Sequence, residues 1–348
     1  MTEANQHAAV TFARQMPKAE LHVHLEGTLE PTHLFALAER NGVALPYSTP
    51  EETVAAYDFH DLPSFLKIYY AAMEVLQTEQ DFFDLTYAYF ERAAQDGVIY
   101  VEPFFDPQAH TARGVGFDVV ISGIHRAQVA AEQNLGVRSQ LIMCFLRDLS
   151  AESAMEHLEL ALPYKDWLVG VGLDSDEKDN PPLKFAEVFA RARAAGFRLT
   201  MHCDVNQKDI HAHMWECLDE IQVDRIDHGV NCLDEDALWQ AVAERGMGLT
   251  VCPVSNRFVV QNLTAQEIRR MLELDIKATV NSDDPAYFGA YLTDNFLELI
   301  MEGQLRIDEI ARLNRNAFDI AWLDGEARES LLAQLRPVEQ AAGLQLDA

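Results

Sequence analysis

The stretch Pro17-Lys-Ala-Glu-Leu-His-Val-His-Leu-Glu-Gly-Thr-Leu-Glu-Pro31 carries the unit from which the whole fold can be read. A short apolar run, residues 19–24, ends in polar side chains, and a proline opens the segment beyond it. In extended chain, side chains two apart share a face, so His22 and His24 point the same way. That arrangement serves packing as well as it serves a shared metal ion, and the segment alone does not choose. The choice comes from repetition. Apolar run, polar cluster and long amphipathic helical pattern recur eight times, with runs at residues 19–24, 100–105, 138–145, 168–173, 198–202, 225–227, 248–252 and 277–281. The segments between them, such as 183–195 and 237–244, have helical spacing, and Gly196 and Gly246 follow them as stops. Strands alternating with helices predict a parallel sheet. Eight units without a break predict a closed α/β barrel, (β/α)₈, of TIM type, formed by residues 1–348 as a single domain.

The gap from Gly27 to Gly97 is too long for one connection. It reads as a helical insertion after the first strand, placed over the C-terminal ends of the strands. Most of its apolar residues would pack the insertion down, with Phe59, Leu62 and Phe65 nearest a ligand.

Of the 348 residues, 49% are hydrophobic, enough for a large core, while Asp and Glu outnumber Lys and Arg by 56 to 27 and give a net charge of −29. A field of that sign repels phosphate backbones and anionic lipid. Neither nucleic acid nor a membrane surface is therefore expected as a partner, whereas a neutral or cationic small molecule is. No run reaches the roughly 18 apolar residues of a membrane span, and the first 17 residues lack the apolar core of a signal peptide. Five widely spaced cysteines with no CxxC pair suit reduced thiols and a cytoplasmic location. Oligomeric state is not written in any of these features.

Barrel enzymes build their sites at the C-terminal ends of the strands. Here those ends carry His22 and His24 (strand one), His202 (strand five), His228 (strand six) and Ser282-Asp283-Asp284 (strand eight). Each alone reads as a core histidine or a helix cap. Together, three imidazoles and a carboxylate suit Zn²⁺ with an open position for water, though iron or cobalt would accept the same donors. His228 is then left to take a proton from that water. The H-x-E with P-C-x-x-C pattern, the G-x-S-x-G elbow and the Walker loop are all absent.

His22-Val-His24-Leu-Glu-Gly, Arg225-Ile-Asp-His228-Gly-Val and Val280-Asn-Ser-Asp-Asp-Pro285 resemble the adenosine/adenine deaminase family of the amidohydrolase superfamily, over nearly the whole chain. Gly172-Leu-Asp-Ser-Asp-Glu177, Thr250-Val-Cys-Pro-Val-Ser-Asn256 and Asp283-Asp-Pro-Ala-Tyr-Phe288 look closer to its adenine branch. The resemblance implies one Zn²⁺ held by His22, His24, His202 and Asp283. It also implies that His228 deprotonates or orients water, and that Asp284 hydrogen-bonds purine N7. Glu177 is a candidate for recognising N3 and N9.

One departure is chemical. The family reads His-Ala-Gly-Glu after strand five, and that Glu protonates ring N1. This chain reads His202-Cys-Asp-Val-Asn-Gln207, with Val205 in the acid's place, and a valine donates no proton. The expectation is that Asp204 supplies it. A rearranged loop also suits hydrolysis of N6-substituted adenines beside adenine itself. The rival readings are an amidohydrolase acting on another ring and a purine-binding protein without catalysis.

Overall fold

The computed structural model describes residues 2–203 and 207–344. Its strands are β1 (Lys18–Glu20), β2 (Val98–Val101), β3 (Phe104–Phe105), β4 (Arg138–Ser139), β5 (Leu141–Leu146), β6 (Leu168–Asp174), β7 (Arg198–Cys203), β8 (Arg225–His228), β9 (Gly248–Val251) and β10 (Lys277–Val280). The pair β2 and β3 is one stave, interrupted where Pro103 offers no N–H to the ladder. Its hydrogen bonding to the first stave continues across the break, from Glu102 N to Glu20 O at 2.9 Å and from Phe104 N to Val23 O at 2.8 Å. The pair β4 and β5 likewise makes one stave, flanking Gln140, whose N–H reaches Val101 O at 3.0 Å.

All the pairings are parallel, in the orders β1-β2-β4 and β10-β9-β8-β7-β6-β5-β3. The ring shuts between the first and last staves. His24 N donates to Asp283 O at 2.9 Å, Asp283 N donates to His22 O at 3.1 Å, and Leu21 N donates to Asn281 Oδ1 at 2.9 Å. The result is the eight-staved barrel that the repeated unit predicts, and each expected run falls on a stave.

One end of the barrel is filled. Arg225 pairs with Glu102 at 2.5 Å inside it, and Trp322 stacks on the Arg225 guanidinium at 4.3 Å. Gly170 permits this plug, because a Cβ there would lie 2.5 Å from the Trp322 ring. The open end is the one at which the strands finish, and there the insertion sits. Its helix Leu62–Ala72 begins in a capping box between Asp61 and Ser64. Phe59, Phe65 and Tyr69 of the insertion pack with Tyr287 and Phe288 from beyond β10.

Two features differ from the sequence reading. Where the alternating pattern predicts one regular helix after strand five, the chain is an α-helix only over Ile210–Trp215 and continues as a π-helix over Glu216–Ile221. Helices Glu3–Gln15, Leu292–Met301 and Ile307–Ile320 pack together outside the strand–helix repeat, so the repeat pattern did not announce them. Among the described residues no helix is long and apolar enough to cross a membrane.

Candidate active site

The seam that closes the ring brings four donor side chains together. His22 Nε2 lies 3.0 Å from Asp283 Oδ1, His24 Nε2 lies 3.1 Å from His202 Nε2, and His24 Nε2 lies 3.4 Å from Asp283 Oδ1. All four donors fall within 4.8 Å of one another, and all four residues are buried. Ligands placed tetrahedrally at ~2.1 Å from a zinc ion stand roughly 3.4 Å apart, so the spacing fits a divalent cation.

A second layer fixes the donors. Thr200 and Thr250 donate their hydroxyl protons to Asp227, at 2.7 and 2.9 Å. With its one proton so used, the Thr250 oxygen accepts from His22 Nδ1 at 2.9 Å. The His22 proton therefore sits on Nδ1, and the Nε2 lone pair faces the other donors, the arrangement metal-binding histidines need. Asp227 Oδ2 also approaches His202 Nδ1, at 3.6 Å.

His228 and Asp283 both hold left-handed backbones, φ 59° and 64°, which side-chain-bearing residues adopt at a cost and mostly where function demands it. His228 Nε2 stands 3.8 Å from Asp283 Oδ2. Burial, and then the neighbouring His22, lower the His228 imidazole to about 3, against the opposing pull of Asp283 and Asn256. The His228 imidazole is therefore neutral in the folded chain. Burial pushes Asp283 up, but the histidines overcome it and hold the carboxylate well below its usual range. A second group, His22, His228, Cys252 and Asp283, is also close-set, yet the Cys252 thiol already donates to Thr250 O.

Asp284 occupies a cradle that only glycine allows: a Cβ on Gly27 would lie 2.0 Å from Asp284 Oδ1. Burial, then the charge of Asp283, raise the Asp284 carboxyl well above its ordinary value. A neutral carboxyl beside the donors can give a hydrogen bond to a ring nitrogen.

A family model described as adenosine deaminase matches residues 17–338. The chain belongs to the adenosine deaminase family. It is 47% identical over 327 residues to an adenine deaminase of Acinetobacter baylyi, covering 93% of this chain and 98% of that one. The crystal structure of an adenine deaminase from Arthrobacter aurescens superposes with a TM-score of 0.90 at 42% identity, covering 93% of this chain and 99% of the other. An amidohydrolase from Burkholderia ambifaria, solved with bound Zn, gives a TM-score of 0.87 at 26% identity, covering 99% and 94%. The chain is accordingly a hydrolytic deaminase, and its family uses a metal.

In this deaminase, Glu177, Leu62 and Phe65 line the same cavity as His24, His202, His228, Asp283 and Asp284. Glu177 also faces Arg147, at 3.7 Å. Phe59 stands one layer out, edge-on to Phe65 and Phe288 at 5.3 and 6.1 Å, because the chain turns at Asp61 before the helix reaches the cavity. Asp204 and Val205 lie outside the described residues. The cavity also holds Asp106 and Asp174, which the sequence reading passed over. Burial, then each other's company and that of Glu26, raise Asp106 well above the carboxylate range, and burial raises Asp174 to about 8. Both directly follow predicted apolar runs, as the ligands do. The strand-end rule applied to acids as well as histidines would have found them.

Proposed function

We propose that this deaminase removes the amine from C6 of an adenine-type base, adenine or an N6-substituted adenine, giving hypoxanthine and ammonia or an amine. The observation that carries the reading is the convergence of His22, His24, His202 and Asp283 within 4.8 Å, in a cavity that also presents His228 and Asp284. Zn²⁺ is the proposed ion, one per chain of a single domain. When bound, it lowers the pKa of water from 15.7 in bulk towards ~7.

The protein's own groups then divide the work. His228, neutral and buried, takes the proton of the water that attacks C6. Asp284, held neutral, donates to N7 and orients the ring. The C6 centre becomes tetrahedral, and His228 then returns the proton it took to the departing nitrogen, so that the C–N bond breaks with loss of the neutral amine and the C6 oxygen is left as the carbonyl of hypoxanthine. Asp204 is the proposed donor to N1, where Val205 has no proton to give. Leu62, Leu66, Val259, Val260 and Phe288 form an apolar side of the cavity that suits an alkyl group on N6. A cytoplasmic setting agrees with the absence of disulfides among the described residues.

The test is turnover of adenine, adenosine and N6-isopentenyladenine, followed by loss of purine absorbance, together with the metal content of the protein. Adenine or its N6-alkyl derivative should lead, chelation should abolish activity and Zn²⁺ should restore it. Asp204→Asn should slow turnover at least about a hundredfold, the scale of general-acid help. A clear preference for adenosine would overturn the base assignment. Purine binding without turnover in metal-replete protein would favour a non-catalytic role.

A further inference from the structure

Adenine bound in this cavity has a second polar edge, and three buried side chains there await one. Among the described residues, the Tyr69 hydroxyl has no hydrogen-bond partner, and Asp106 Oδ1 and the Asp174 carboxyl make no well-aligned hydrogen bond, their polar neighbours being each other, the Cys144 thiol and His24 Nδ1. These residues are only 3%, 1% and 3% exposed, and all three line the cavity. Leaving such groups unpaired in a protein interior is costly, so their natural partner is a ligand. Their place is known relative to the proposed ion. Asp174 Oδ2 lies 3.5 Å from His24 Nδ1, on the side of the ring opposite the Nε2 that faces His202. They therefore stand behind the metal ligands, not among them.

The chemistry of the ligand follows. Adenine offers two kinds of N–H donor, the exocyclic amine and the imidazole N–H. With the amine at the reacting end, the imidazole N–H is the one donor left for an acidic wall. The neighbouring N3 is an acceptor and needs a donor. We propose that Asp106 and Asp174 accept the N9–H of a free purine base while the Tyr69 hydroxyl donates to N3, so that this wall selects free bases over nucleosides. The proposal deepens the C6-deamination reading and rests on it. It assigns recognition of the N3/N9 edge to these three residues in place of Glu177, whose carboxylate faces the Arg147 guanidinium at 3.7 Å.

The experiment compares adenine with its analogue in which sulfur replaces N9–H, a change that removes the donor without adding bulk. It uses the zinc-loaded enzyme and its variants Asp106→Asn, Asp174→Asn and Tyr69→Phe, each with zinc content measured. The rates are measured above pH 8, where the Asp174 carboxyl is ionised, and a hydrogen bond to a carboxylate corresponds to roughly a ten- to hundredfold effect. The wild type should favour adenine over the sulfur analogue in kcat/KM by a factor in that range. In Asp106→Asn, and in Asp174→Asn if zinc is retained, the preference should shrink to a fewfold; comparing ratios cancels the analogue's own reactivity. Tyr69→Phe should leave the ratio unchanged, but 3-deazaadenine, which lacks N3, should lose its disadvantage in that variant.

An unchanged ratio in Asp106→Asn, or a wild type indifferent to the analogue while turning over adenine, would overturn the proposal and leave the deamination reading standing. Failure to deaminate adenine at all would instead remove the reading beneath it.

Discussion

Thr250 touches no substrate, yet it decides how His22 presents itself. Its hydroxyl proton goes to Asp227 and its oxygen to the His22 Nδ1 proton. Valine at this position keeps the shape and breaks both bonds, leaving the imidazole free to flip its tautomer and aim a proton at the cation. Partners of this kind carry about 10- to 100-fold in metal affinity. Thr250→Val should lose zinc to a competing chelator at a correspondingly lower chelator concentration, while far-UV circular dichroism stays that of the wild type. Unchanged zinc retention would show that the His22 orientation is set elsewhere.

At the level of elements, the helix Leu62–Ala72 is positioned by its first turn. Asp61 Oδ1 accepts from Ser64 N at 2.9 Å, and Ser64 Oγ accepts from Asp61 N at 3.2 Å. Asp61 is exposed and Ser64 half-buried, so the box serves this helix and not the core. Removing such a cap costs typically ~1 kcal/mol, enough to shift a local equilibrium about fivefold. Asp61→Ala should raise KM by about that factor with kcat and the melting temperature nearly unchanged, because Leu62 and Phe65 would spend less time on the cavity wall. A variant with wild-type KM would mean that the aromatic packing alone holds the helix.

The same contrast explains which elements were legible in the sequence. The staves were, since each is a short apolar run bounded by helical spacing, and barrel closure follows from their number. The donor residues were, because they terminate those runs. Phe59 was misjudged because a lid's inner and outer apolar residues look alike until its turn is placed. The π-helix over Glu216–Ile221 depends on where neighbouring elements press, which no local pattern encodes. Asp106 and Asp174 were visible in position but not in meaning, since an acid after a strand is also an ordinary helix cap.

For the whole molecule, stability should depend on pH through Glu20, which sits where the first and last staves meet. Ser282 donates to its Oε1 from N at 3.0 Å and from Oγ at 2.5 Å, and Tyr89 donates to its Oε2 at 2.6 Å. Burial outweighs these bonds and raises the carboxyl from 4.5 to about 7. The folded chain thus holds this proton more tightly than the unfolded one. The group's stabilising contribution is complete below its unfolded value of 4.5, and is lost as pH rises through about 7. That decline is worth about 3 kcal/mol. Urea unfolding at pH 5 and pH 8 should show a smaller fall in Glu20→Gln than in the wild type; parallel falls would assign the dependence to other groups.

The bonds His24 N to Asp283 O and Asp283 N to His22 O tie the two ends of the sheet through the residues that converge as donors. An ion seated there is a clasp as well as a reagent. Protein starved of it should spring open first along that join, and limited proteolysis with and without a chelator should cut there before the remaining staves come apart.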